Sequence, residues 1–205
     1  MLVVGNCEVV RNSASHNFQH VFFSNNINLE VVKEMKLVGV ILSSELKWEK
    51  NTQYICGKAM QRMWILRRMK TYNLSIESIC DIYVKEIRSI LELAFPVWHS
   101  GLTQKQNRDI ERVQKIALLI LLGDNFVKYE VACSLMGIEP LNMRREQLCL
   151  NFAEKNVKLK NSLFIKAAKT STKCKDRVVV EPKSNFKRFR NSSIPFLSRL
   201  LNSNV

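Results

Sequence analysis

The sequence predicts a mainly α-helical protein, opened by a short β-hairpin or strand region and closed by a basic, partly disordered C-terminal tail. Three observations carry that prediction. Beyond residue 48, apolar residues recur at three- and four-residue intervals, the pattern of helices that bury one face. Before it, Lys36–Ser43 is a short, nearly continuous apolar run bounded by polar turn residues, which reads as a strand. Towards the end the charge balance changes: residues 155–205 hold 13 Lys and Arg against 2 acids, most of the net charge of +14. A chain of 205 residues with 46% hydrophobic content is long enough to bury one sizeable core.

In residues 1–35, Phe18, Val21, Phe22 and Phe23 suggest a strand and Ser24-Asn25-Asn26 a turn. Lys36–Ser43 is apolar on both faces, as a buried or sandwiched strand would be, and Gly39 lets another backbone come close. A first helix is expected from Lys50 to Lys70, with Ile55, Ala59, Met63 and Leu66 inward. A second runs from its N-cap Ser75 to about Ala94, burying Ile76, Ile79, Tyr83, Ile87, Ile90 and Ala94, and Pro96 ends it. Trp98 follows in the connection as a core anchor rather than a base-stacking residue. The capping box at Thr103 and Gln106 starts a third helix that stops at Gly123, with Ile110, Val113, Ala117 and Ile120 inward. Two more helices are expected: Phe126–Met136, closed by Gly137 and Pro140, and Leu141 to about Lys160, with Leu148, Phe152 and Ala153 on one side. Ser171–Ser193 reads as a linker whose Val178-Val179-Val180 run either pairs as an edge strand or stays unpaired.

The chemistry open to these residues is narrow. There is no phosphate-binding or dinucleotide-binding glycine motif and no nucleophile elbow, and only six glycines to build a loop from. The six cysteines (Cys7, Cys56, Cys80, Cys133, Cys149 and Cys174) are scattered with no C-x-x-C, so they read as free thiols. His16 and His20 lie four apart but lack a full set of partners, and neither a metal nor a cofactor is expected. No membrane span is expected. The apolar start, Met1–Val4, is too short for a signal peptide, which places the expected location inside the cell, in cytoplasm or nucleus.

Several motifs have a familial likeness. Leu37, Gly39, Val40, Leu42, Leu46 and Trp48 fit L-G-V-x-L-x-x-x-L-x-W, and Pro96-Val97-Trp98 fits an apolar-P-V-W block. Ile110-Glu111-Arg112-Val113-Gln114-Lys115 is followed by Pro140-Leu141, Arg144-Arg145 and Leu148-Cys149-Leu150 in matching order, then by Ile194-Pro195 and Arg199–Asn202. Together these resemble the thumb and following region of reverse transcriptases of non-LTR (LINE-type, Jockey-like) retrotransposons, over roughly residues 36–202.

The resemblance implies three parts: residues 1–48 as a remnant of palm and strand hairpin, 49–160 as a thumb-like helical bundle, and 161–205 as a basic tail. It also implies that Leu37, Gly39, Val40 and Trp48 dock the hairpin on a palm domain and position the primer. This sequence departs from the family at Asn51, where a histidine is usual, at Leu93, where a tyrosine is common, and at Ile116 and Leu119, where basic residues are expected. The family's polymerase palm holds two metal ions on an aspartate pair. Here Asp81, Asp109, Asp124 and Asp176 are isolated, so no catalytic residue is expected and the chain is not read as an enzyme.

What remains is charge. No acid stands between Glu49 and Glu77, whereas Lys50, Lys58, Arg62, Arg67, Arg68 and Lys70 do. By the thumb resemblance these would neutralise phosphates of RNA or an RNA–DNA hybrid without reading bases. Alternatively Arg67, Arg68 and Lys70 serve only the helix dipole. In the tail, Lys187, Arg188 and Arg190 interleave with Phe186, Phe189 and Phe196, as stacking and phosphate contacts would, or as a solvated tail would. Arg144 and Arg145 either pair within the bundle or reach nucleic acid. Two functions from different classes follow: a nucleic-acid-binding, non-catalytic polymerase fragment, and a helical protein–protein module or inactive remnant using the apolar Ile116–Leu119 departures. An intact enzyme has no clustered acids to build on.

Overall fold

A computed structural model describes residues 31–159, 179, 181–182 and 186–203, together with four short strands nearer the N-terminus. The chain divides into two compact units, residues 1–51 and 52–205. Its described residues are mainly helical, with short antiparallel strands confined to the first unit.

In the first unit, β1 (Leu2–Val3) pairs with β5 (Val31–Val32), and β3 (Phe22–Ser24) lies between β2 (Glu8–Val9) and β4 (Ile27–Leu29). The strand expected around Phe22 is present; the turn expected at Ser24-Asn25-Asn26 lies mostly outside the described residues. The expected N-terminal hairpin is present, but the run Lys36–Ser43, expected as one buried or sandwiched strand, itself contributes to both of its strands. β6 (Glu34–Leu37) pairs antiparallel with β7 (Val40–Ser43), Leu37 opposite Val40. The apolar run folds back on itself because Val38 and Gly39 both take positive φ, 47° and 85°, which two-residue hairpin turns require. Gly39 therefore serves the turn. Val38, at the tip, is 86% exposed. Below it, Ser43 Oγ accepts the Lys47 N–H and donates to the Lys47 carbonyl, both at 2.9 Å, closing the loop before Trp48.

The helical unit starts within α1 (Glu49–Thr71), whose Ile55, Ala59, Met63 and Leu66 are buried as their spacing requires. Ser75 caps α2 (Ile76–Ile82), accepting the Ser78 N–H at 3.3 Å. The helix then widens into a π-helical segment, Tyr83–Arg88, before the last turn, α3 (Ser89–Leu91). Ile79, Tyr83 and Ile87 are buried as expected, and the widening continues the stripe to Leu91 in place of Ile90 and Ala94; Ile76, also expected inward, is 43% exposed. Four-residue steps drift by about 40° each on an α-helix, and a π-turn, with its longer i→i+5 repeat, absorbs the drift. Ala94 adopts a left-handed conformation (φ 49°), so the helix ends before Pro96, and the proline opens a new turn, α4 (Phe95–Trp98).

A 3₁₀ turn, His99–Gly101, leads to α5 (Gln104–Leu122), whose capping box is formed in both directions: Gln106 N–H to Thr103 Oγ1 and Thr103 N–H to Gln106 Oε1. Ile110, Val113 and Ala117 face inward; Leu121 takes the place expected of Ile120. α6 (Tyr129–Leu135) and α7 (Leu141–Lys158) follow. On α7 the buried face is Leu141, Arg145, Cys149 and Ala153, while Phe152 is exposed and Leu148 half-buried, contrary to expectation. Hydropathy patterning could not place an arginine inside.

The described part of the basic C-terminal tail is mainly helical. After a single turn, α8 (Lys187–Arg190), α9 (Ser193–Ser203) packs on α7 and α4, burying Pro195, Leu197, Ser198 and Leu201. Ser193 Oγ donates to the Pro96 carbonyl at 2.6 Å. Val179 is buried, its N–H and C=O both held by the Asn202 side-chain amide, at 3.2 and 2.9 Å. The remainder of the expected Ser171–Ser193 linker lies largely outside the described residues.

Candidate nucleic-acid interface

The six cations of α1 are put to different uses. Lys50, in the first unit, pairs with Glu34 at 3.2 Å. Arg62 reaches Glu86, 2.8 Å to the carboxylate and 3.0 Å to the carbonyl. Lys70 donates its ammonium to the Ile120 and Leu121 carbonyls, at 2.8 and 3.4 Å, and so caps the C-terminus of α5 rather than its own helix. Gly123, with φ 56°, ends α5 there, and a Cβ on it would stand 2.9 Å from the Lys70 Nζ. Lys58 lies over the Tyr54 ring, 5.0 Å from its centroid, and Arg68 over Tyr72 at 5.3 Å. Among the described residues Arg67 has no ion-pair or hydrogen-bond partner. Three cations, Lys58, Arg67 and Arg68, thus remain solvent-facing and without a carboxylate.

The other expected site residues are scattered. Leu37 is half-exposed; Val40 and Trp48 are buried, 6% and 8% exposed. Asn51, noted as a departure, accepts the Ile41 N–H on its Oδ1 at 3.1 Å, tying the hairpin to the start of α1. The side chains of Lys187 and Arg188 lie outside the described residues. Arg190 is exposed, and its carbonyl accepts Arg199 Nη2 at 2.8 Å. Phe189 is exposed, but Phe196 is engaged edge-on with the His99 ring, centroids 5.7 Å apart, which removes it as a stacking platform.

Arg144 and Arg145 both pair inside the bundle. Arg144 Nε donates to Glu92 Oε1 at 2.6 Å, and Arg88 shares that oxygen at 3.4 Å. Arg145, fully buried, reaches Asn107 Oδ1 at 3.2 Å and lies 3.9 Å from Glu111. Comparison with family models, curated proteins and solved structures finds no match.

Sequence reading missed the buried polar network of α5. Tyr83 Oη donates to Gln114 Oε1 at 2.8 Å, and Gln114 Nε2 donates to Tyr129 Oη and to the Glu139 carbonyl, both at 2.9 Å. Tyr129 donates in turn to Glu111. That carboxylate also accepts the Leu141 and Asn142 N–H groups, at 3.3 and 2.6 Å, doing for α7 what its N-cap Pro140 has no side-chain oxygen to do. Burial raises the Tyr83 and Tyr129 hydroxyls well above the usual range, the Glu111 bond adding to the second, so both stay protonated donors. The one available signal was Glu111 and Gln114 sitting three apart beside Ile110 and Ala117, a polar pair next to an inward stripe. Burial likewise lifts the Cys56 thiol to about 11 and Cys149 to about 12, which leaves both poor nucleophiles. Among the described residues no cluster of His, Cys, Asp or Glu is placed to hold a metal ion, and no helix is long and apolar enough to cross a membrane.

Proposed function

We propose that this chain is a non-catalytic part of an RNA-directed DNA polymerase of the non-LTR retrotransposon type, which grips RNA or an RNA–DNA hybrid through its phosphates inside the cell. The observation that carries the reading is the outer side of α1, where Lys58, Arg67 and Arg68 face solvent in a stretch with no acid between Glu49 and Glu77. The ordered motifs from Leu37 to Asn202 support it as a resemblance. With its aspartates isolated, the reading assigns no catalytic step to this chain, and a palm domain would be its partner at the hairpin.

The test is binding to a labelled RNA–DNA hybrid across a salt series, wild type against Lys58→Glu, Arg67→Glu and Arg68→Glu combined. Each phosphate that is no longer neutralised should flatten the log–log salt slope by about 0.7–0.9, so the triple variant should lose about 2 of slope or more. An unchanged slope would remove α1 from the interface. The second reading, a protein-docking module, is favoured by Leu119, 41% exposed on α5, and by Val131 and Leu135 on one face of α6, 44% and 65% exposed. Saturable, salt-insensitive capture of a protein with no hybrid binding would select it.

A further inference from the structure

We propose that one stripe of α1, Gly57-Gln61-Trp64-Arg68, binds a single-stranded stretch of nucleic acid, with a base stacked on Trp64 and the neighbouring phosphates on Lys58, Arg67 and Arg68. The inference rests on the nucleic-acid reading above and narrows it to unpaired strands. Positions 57, 61, 64 and 68, spaced four, three and four, lie on one helix face, and all four residues are exposed.

Two independent features of that face have no use inside the bundle. Trp64 is 61% exposed, whereas Trp48 and Trp98 are 8% and 0% exposed. Gly57 sits in the interior of a 23-residue helix, where glycine disfavours the helix, yet a Cβ there would meet nothing within 4 Å. Neither close packing nor a special backbone angle calls for a glycine; its effect is a notch two turns before the indole, where an external group can approach the helix backbone.

Charge selects the kind of ligand. Lys58 and Arg68 lie over the Tyr54 and Tyr72 rings, and Arg67 adds a guanidinium without a partner among the described residues, so the surface is cationic and aromatic together. An acidic polymer with flat faces satisfies both. In a duplex those faces are occupied by neighbouring base pairs, whereas unpaired bases are free to stack on an aromatic side chain.

The experiment is a fluorescence titration of the full chain with a 12-nucleotide oligo(U) and with an RNA–DNA hybrid of equal length. Because the other two tryptophans are buried, quenching reports Trp64. Oligo(U) should quench the emission; followed by the anisotropy of an end-labelled strand, its binding should weaken roughly 5- to 100-fold in Trp64→Ala and be mostly retained in Trp64→Tyr. Gly57→Leu should weaken oligo(U) binding while helical circular dichroism is unchanged. If the hybrid binds as tightly as oligo(U) and Trp64→Ala alters neither, the stacking inference falls and the nucleic-acid reading stands. If neither ligand binds, both fall.

Discussion

His99 shows how burial decides the behaviour of a single side chain. Burial, with the positive charge of Arg145 second, holds its imidazole down to about 4 from the usual 6.5, and its ring is packed on Phe196. In the unfolded chain the same histidine takes up a proton near 6.5, so between 6.5 and 4 the unfolded state binds more protons than the folded one. The stability this group contributes is therefore complete above pH 6.5 and is lost as the pH falls through 4. Urea midpoints at pH 7.5 and 5 should differ in wild type and differ less in His99→Gln; equal differences would show that other groups carry the acid response. Lys70 teaches the same lesson for charge. In sequence it is one of six equivalent cations, but its ammonium closes the carbonyl end of another helix. Nothing within Lys50–Lys70 reveals that, since its partner is 50 residues away.

At the scale of elements, the local signals were legible where they depend on neighbours in sequence. The Ser75 cap, the Thr103–Gln106 box, the stop at Gly123 and the inward stripe Ile55–Leu66 follow from spacing and capping chemistry alone. Less legible were stripes that depend on packing between elements: the π-segment that turns Leu91 inward rather than Ile90, and the burial of Arg145, which hydropathy assigns to the surface. Glu111 is the joint between such elements. Replacing it with alanine should leave the Tyr129 hydroxyl, two α7 amides and the Arg145 guanidinium short of an acceptor, at a cost on the order of 3 kcal/mol, as when one partner of a buried charged network is removed. Tyr129→Phe, which removes one donor to Glu111 and one acceptor of Gln114 but leaves both α7 amides paired, should cost less, about 1–2 kcal/mol. Chemical denaturation of both variants measures the difference, and similar costs for the two would deny Glu111 its role at α7.

For the whole molecule, the expectation most changed by the structure concerns residues 161–205. The excess of Lys and Arg led to their being set apart as a tail, but α9 contributes Leu197 and Leu201 to the core, 1% and 5% exposed. Composition averages over the segment and hides an amphipathic helix within it. Burying each such leucine is worth about 1.5–3 kcal/mol, against a total stability of about 5–15 kcal/mol for a domain. A chain lacking residues 186–205 should therefore lose most of its cooperative urea transition, with exposed apolar surface detectable by dye binding; an unchanged midpoint would make α9 dispensable. This is also why charge substitutions, and not truncation, are the fair test of where nucleic acid binds.

The wide turn at Tyr83–Arg88 bears on which changes of length the chain can absorb. On a regular α-helix, at about 100° per residue, Leu91 would point about 120° away from Ile79. The π-segment cancels that offset, and so would the loss of one residue. Deleting Lys85, whose side chain is 73% exposed and pairs with Asp81 at 3.8 Å, would let the turn tighten to α while Ile79 and Leu91 still share a face. The regular turns of α5, buried along one strict stripe, hold no such slack. This six-residue stretch behaves as an inserted residue already accommodated, a place where a gene can shorten by one codon and the core stays in register.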